Sequence, residues 1–263
     1  MKNFTLSLQS EFFKSKNTLA FWGAIILPVF LCFLVFGVYF FKADDIIKNM
    51  KNPTPEAFWF EYFFIILGVM GSLLLPMYLI FMTYSVNNIE HKAETWKSLF
   101  SLPIPKFTVY ASKALYCLIL VFLTLLLFLG LSIGLGLLLG KLAPNYHLLD
   151  ADLTKLFGGL TKIYIKLFLS SLAIVAIQFL FSLIWADFMK PMGFGFVALI
   201  TCIILLPWEY SYILPYSLPS KVLSIGSAGK EIIIFNKEAF ISIGYAVAFF
   251  IFGYFVITKR SVK

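Results

Sequence analysis

Six long apolar runs divided by short polar passages organise the chain, at about 18–41, 59–86, 114–140, 163–186, 191–208 and 239–257. Each meets or approaches the roughly 20 residues that cross a ~30 Å hydrocarbon layer at ~1.5 Å per residue. A lipid-facing backbone finds no water to bond, so runs of this length are helical. The runs are continuous rather than alternating, which excludes a transmembrane barrel. The pattern predicts an all-α integral membrane protein of six transmembrane helices, one membrane domain over residues 1–263, with both termini on one side. The first run starts near Thr18 and lacks a small-x-small cleavage site, so it reads as a retained span rather than a signal peptide.

Two polar passages carry helical periodicity of their own. In residues 1–17, Phe4, Leu8 and Phe12 fall four apart among lysines and polar residues, the pattern of an N-terminal interfacial helix. Between the second and third runs, Ile89, Ala93, Trp96, Leu99 and Phe100 form one stripe, while Glu90, His91, Glu94, Lys97 and Ser98 cover the remaining surface. This predicts an amphipathic helix over about 88–101. Asn87 or Asn88 would cap it, Glu90 would sit in its first turn, Glu94 would pair with Lys97, and Pro103 and Pro105 would end it. Too short and polar to cross, it would offer its polar face to a soluble partner or simply anchor the loop.

The remaining connections read more simply. The passage Lys42–Phe58, with Pro53 and Pro55, is expected to be irregular, and Asp187–Lys190 allows only a tight hairpin. The prolines Pro215 and Pro219, in an apolar and aromatic context, break any helix there and turn the chain back toward the membrane. The third run contains Gly130, Gly134, Gly136 and Gly140, two small-xxx-small pairs suited to close helix packing, although glycine is common in membrane helices generally.

Composition agrees with a bilayer setting: 61% of residues are hydrophobic, 19% aromatic and 13% charged. With cytoplasmic termini the net charge is more positive inside than outside, and the formal +8 reads as contact with anionic lipid headgroups rather than nucleic acid. Lys162 and Lys166 are placed at the outer start of the fourth span, where they would snorkel. Cys32, Cys117 and Cys202 are isolated within spans, and His91 and His147 fall on opposite sides, so no metal site is expected. Gln178, the most polar side chain deep in a span, is expected to bridge helices.

Catalytic motifs are missing. Gly140-Lys141 and Gly229-Lys230 lack the upstream glycine and following hydroxyl of a phosphate loop, so this chain would not hydrolyse nucleotide itself. An intramembrane enzyme would need converging acid-base or metal groups, but the HExxH pattern is absent. A non-ATP-coupled scaffold or carrier is the other alternative, though a carrier would place ionisable groups near the midplane, where these spans have none.

The block Glu90, Glu94, Thr95, Trp96, Leu99, Leu102, Pro103, Ile104, Pro105, Tyr110 and Lys113 resembles the membrane subunits of ATP-binding cassette (ABC) transporters of the type-2 permease family. The resemblance extends to Glu11-Phe12-Phe13-Lys14 and to Pro215-Tyr216-Ser217-Leu218-Pro219, and within the family it is nearest to small bacterial lantibiotic-immunity and peptide-export permeases. It implies that the helix after the second span is a cytoplasmic coupling helix docking on a separate ABC ATPase subunit, which would bind the ATP and Mg. Glu90, Glu94 and Lys97 would then face the partner, Trp96 and Leu99 would seat the helix on its own bundle, and Pro103 would end it. A second permease copy or homologue, a bacterial inner (cytoplasmic) membrane location and an exported peptide or amphipathic substrate follow from the same resemblance.

Overall fold

The computed structural model describes residues 2–49, 54–93, 104–226 and 233–259, and every regular element among them is helical. The helices are α1 (Lys2–Ser15), α2 (Leu19–Phe41), α3 (Ala43–Asn49), α4 (Pro55–Val69), α5 (Leu75–Lys92), α6 (Lys106–Leu142), α7 (Leu153–Ile184), α8 (Met189–Ile204), α9 (Leu218–Gly226) and α10 (Lys237–Lys259). Five stretches are long and apolar enough to cross a membrane: Leu19–Phe41, Pro55–Lys92, Lys106–Leu142, Leu156–Ile184 and Lys237–Lys259. The protein is therefore an all-α membrane protein.

The sixth apolar helix, α8, has 16 residues, or about 24 Å, less than the full hydrocarbon thickness. It stops at Ile204 rather than Trp208 because Pro207 has no N–H to continue the ladder. The chain then re-enters the bundle through two 3₁₀ turns, Glu209–Ile213 and Pro215–Ser217, which leave Tyr216 and Ser217 buried. The Gln178 amide of α7 donates to the Tyr216 hydroxyl at 2.6 Å, so this glutamine ties its helix to the re-entrant segment. Contrary to expectation the prolines do not keep that segment free of helix. Pro219 is the second residue of α9, where a missing N–H costs nothing.

The first connection is also more ordered than expected. Residues Ala43–Asn49 form α3, and the Thr54 side chain accepts from Ala57 N at 3.2 Å to cap α4, with Pro55 in the first turn. One wide π turn, Met70–Leu74, joins α4 to α5 just before Pro76, whose absent N–H breaks the regular ladder.

Helices α7 and α10 run side by side in the same direction. Ser242 Oγ donates to Ser170 O at 3.0 Å and accepts from Ala173 N at 3.0 Å, while Phe250, two turns on, stacks edge-on against Phe179. The same arrangement buries Lys166 to 3% exposure, with Glu238 at the start of α10 supplying opposing charge. Lys162 is exposed but Lys166 does not snorkel, because α10 covers its side of α7. On α6, a Cβ at Gly136 would run into the Trp59 and Tyr62 rings and one at Gly140 would press on Leu148 and Leu149, whereas Gly130 and Gly134 face open space.

Candidate functional site

Between the second and third long apolar runs, the sequence predicts a helix starting near residue 88. Instead α5 runs unbroken through Asn87, Asn88, Ile89 and Glu90 to Lys92. Asn87 caps nothing: it is fully buried, and its Nδ2 donates to Ser182 Oγ at 2.7 Å. His91 Nε2 lies 2.9 Å from Ser182 O, so with Asn87 it makes the last two turns of α5 polar toward the C-terminal end of α7, and Tyr84 OH donates to Asn88 Oδ1 at 3.0 Å within α5. A continuous helix lets Asn88, His91 and the Asn87 Nδ2 find partners inside the protein, while Asn87 Oδ1 stays buried without one among the described residues.

Glu90 departs furthest from expectation. Placed on the water-facing side by the sequence pattern, it is 1% exposed. The reason is Lys113, eight residues into α6, whose ammonium donates to Glu90 Oε2 at 2.6 Å and to Glu11 Oε2 at 2.7 Å. Lys14 closes the other side, with Nζ 3.2 Å from Glu90 Oε1 and 3.4 Å from Glu11 Oε1. Two carboxylates and two ammonium groups from three helices thus form one neutral cluster. The side chains of Lys113, Glu90 and Glu11 are at most 3% exposed, while Lys14 is 32% exposed.

Such a cluster survives burial only because each charge is paired at charge-assisted hydrogen-bond distance. Its surroundings fix the geometry. Ser15 Oγ donates to Glu11 O at 2.7 Å and also reaches the Tyr116 hydroxyl, Phe12 meets the Tyr116 ring edge-on at 4.7 Å, and the Ser7 and Ser112 hydroxyls lie 2.8 Å apart. The N-terminal helix therefore docks its own charged face onto α6. Burial alone would lower the affinity of Lys14 for its proton, but the adjacent Glu11 and Glu90 carboxylates outweigh it and hold the ammonium above its ordinary range.

The pairing has a topological consequence. Glu90 precedes, and Lys113 follows, the connection from Ala93 to Pro105, so their contact closes that connection at its base. Of the residues expected to meet a partner, Glu94, Trp96, Lys97, Leu99 and Pro103 lie outside the described residues. Glu11, Lys14 and Lys113 are the members of the site that charge patterning along the sequence does not pair.

A bundle of apolar helices with a charged cluster at the base of one connection fits a transport subunit, and a family comparison decides it. Residues 7–204 match the model of the ABC-2 family transporter proteins. The chain belongs to that family. It is accordingly a multi-pass membrane protein of the ABC-2 permease type, a transport subunit rather than a catalytic one, and ABC-2 permeases work with an ABC ATPase. The matched region begins within α1 and ends at α8, so it includes the whole charge cluster. Neither the curated proteins nor the solved structures compared with the chain include a match.

Proposed function

We propose that this permease docks an ABC ATPase through the connection between α5 and α6, and that the Glu11–Lys14–Glu90–Lys113 cluster carries the motion of that connection into the bundle. The observation that supports it is the 2.6 Å contact between Glu90 and Lys113 at the base of the connection, extended to α1 by Glu11. A displaced connection pulls on α5 and α6 together, and the cluster makes α1 follow. Glu94 and Lys97 present the polar face to the ATPase, which holds ATP and Mg, while Trp96 and Leu99 seat the segment.

The complex is an exporter in the cytoplasmic membrane of a bacterium, with cytoplasmic termini and two permease copies or a homologous pair. Its substrate is a membrane-active peptide of the lantibiotic class or a comparable amphipathic compound. The resemblance of the Glu90–Lys113 block to peptide-export permeases supports such a substrate. The test is a mild-detergent pull-down of the tagged chain from its own membrane. A Walker-motif ATPase is expected with the wild type and is expected to be lost from the Glu94→Lys/Lys97→Glu variant. Absence of any such ATPase, under conditions that keep other membrane complexes intact, contradicts the docking reading.

A further inference from the structure

Between the termini-side ends of α6 and α10 lies an open groove of about 370 Å³. Its walls are apolar, formed chiefly by Tyr110, Ala111 and Leu118 on α6 and Phe250, Ile251 and Phe255 on α10. Tyr110 spends its only polar atom on the floor, its hydroxyl donating to Phe250 O at 2.7 Å. Ile251 and Phe255 remain about half exposed on the outer wall. The groove thus has the polarity of a hydrocarbon chain along its length.

Its mouth has the opposite character. Positions 106, 110, 114 and 118 follow one another at four-residue spacing along α6, as do 251, 255 and 259 along α10. Each stripe therefore ends in a lysine on the same side of the bundle: Lys106, half-buried, and Lys259, exposed. The sequence adds Arg260 and Lys263 directly after. An acyl slot capped by cationic groups is complementary to one lipid class. We infer that the groove holds an anionic phospholipid from the leaflet on the side of the chain termini, with an acyl chain between α6 and α10 and its phosphate against Lys106 and Lys259.

A second copy of the chain is the weaker occupant. A two-fold contact brings a patch onto its own duplicate, which here would set lysine against lysine at the mouth. The groove shares no residue with the charge cluster, so its occupancy stands apart from the proposed docking of an ATPase.

Native mass spectrometry of the purified full chain in mild detergent tests this, using phosphatidylglycerol and phosphatidylcholine with identical acyl chains. The wild type is expected to retain phosphatidylglycerol on the order of tenfold better than phosphatidylcholine. Lys106→Gln/Lys259→Gln should abolish that preference while leaving the residual binding of both lipids. Ala111→Trp, which fills the slot, should reduce both. Equal retention of the two lipids by the wild type overturns the assignment. So does an Ala111→Trp variant that keeps its lipid but loses a dimer present in the wild type, since the groove would then belong to a second copy.

Discussion

The two ends of this bundle are held together by opposite means. At the end remote from the termini, aromatic rings from α2, α4 and the turn after α6 interlock: Trp59 stacks on Phe63 at 5.1 Å, Tyr39 meets Tyr62 edge-on at 5.4 Å, and Phe58 meets Tyr146 at 5.0 Å. Two of their polar atoms bond backbone, Trp59 Nε1 donating to Leu148 O and Tyr146 OH to Tyr39 O, both at 2.8 Å, while the Tyr39 and Tyr62 hydroxyls are buried without a partner among the described residues. At the other end, four charged side chains do the joining. Rings bury at little cost and tolerate loss of one partner, whereas a buried charge is stable only while every opposite charge stays in place. The aromatic end is a fixed anchor. The charged end stores a condition, and it lies where a partner would act.

Breaking the charged end should have the largest effect. Lys113→Met strands Glu11 and Glu90 in a buried site and should cost about 3–5 kcal/mol, read as a fall in the thermal midpoint in detergent. The triple variant Glu11→Gln/Glu90→Gln/Lys113→Met removes charge from both sides and should recover most of that loss. If the single and triple variants are equally unstable, packing rather than pairing governs this end.

At the aromatic end the sharpest probe is Gly136, whose missing side chain leaves room for the Trp59 and Tyr62 rings. Gly136→Leu should cost about 1–3 kcal/mol by overpacking. Gly130→Leu, at a position where an added Cβ meets nothing within 4 Å among the described residues, should leave the midpoint unchanged. Trp59→Phe keeps an aromatic ring but orphans Leu148 O, and a loss of about 1 kcal/mol is expected in the same unfolding assay.

The smallest effect belongs to Lys14, part-exposed and therefore screened. Lys14→Gln should cost below ~1 kcal/mol. Its proton affinity is raised in the folded state, so its contribution is fully present below the ordinary lysine value of 10.5 and fades only as pH rises past the elevated one. Thermal midpoints of wild type and Lys14→Gln should accordingly differ by a constant amount from pH 6 to 9. A gap that changes across that window would show that Lys14 does not act through its charge.

The same contrast explains what the sequence reveals. Apolar runs announce helices, so the spans, the N-terminal helix and the short connection after α7 are legible from periodicity, with ends shifted by proline and capping chemistry at Pro55, Pro76 and Pro207. The charge cluster is not legible in that way. Lys113 is separated by 102 residues from Glu11 and by 23 from Glu90, and a lone glutamate on an amphipathic pattern reads as water-facing until its distant partners are in place. Lys166 eludes the sequence for the same reason: the parallel packing of α10 on α7 brings Glu238 toward it and leaves it buried.

The central claim is that the cluster transmits motion from the connection between α5 and α6, and ATP hydrolysis by the copurified complex tests it most directly. Wild type should be compared with the triple variant, which keeps only Lys14 of the four charges, at matched amounts of bound ATPase. The account predicts that the triple variant keeps its fold and its partner, yet hydrolyses ATP only at the rate of the isolated ATPase. Hydrolysis equal to the wild-type complex would contradict it, leaving the cluster a structural clasp for the N-terminal helix.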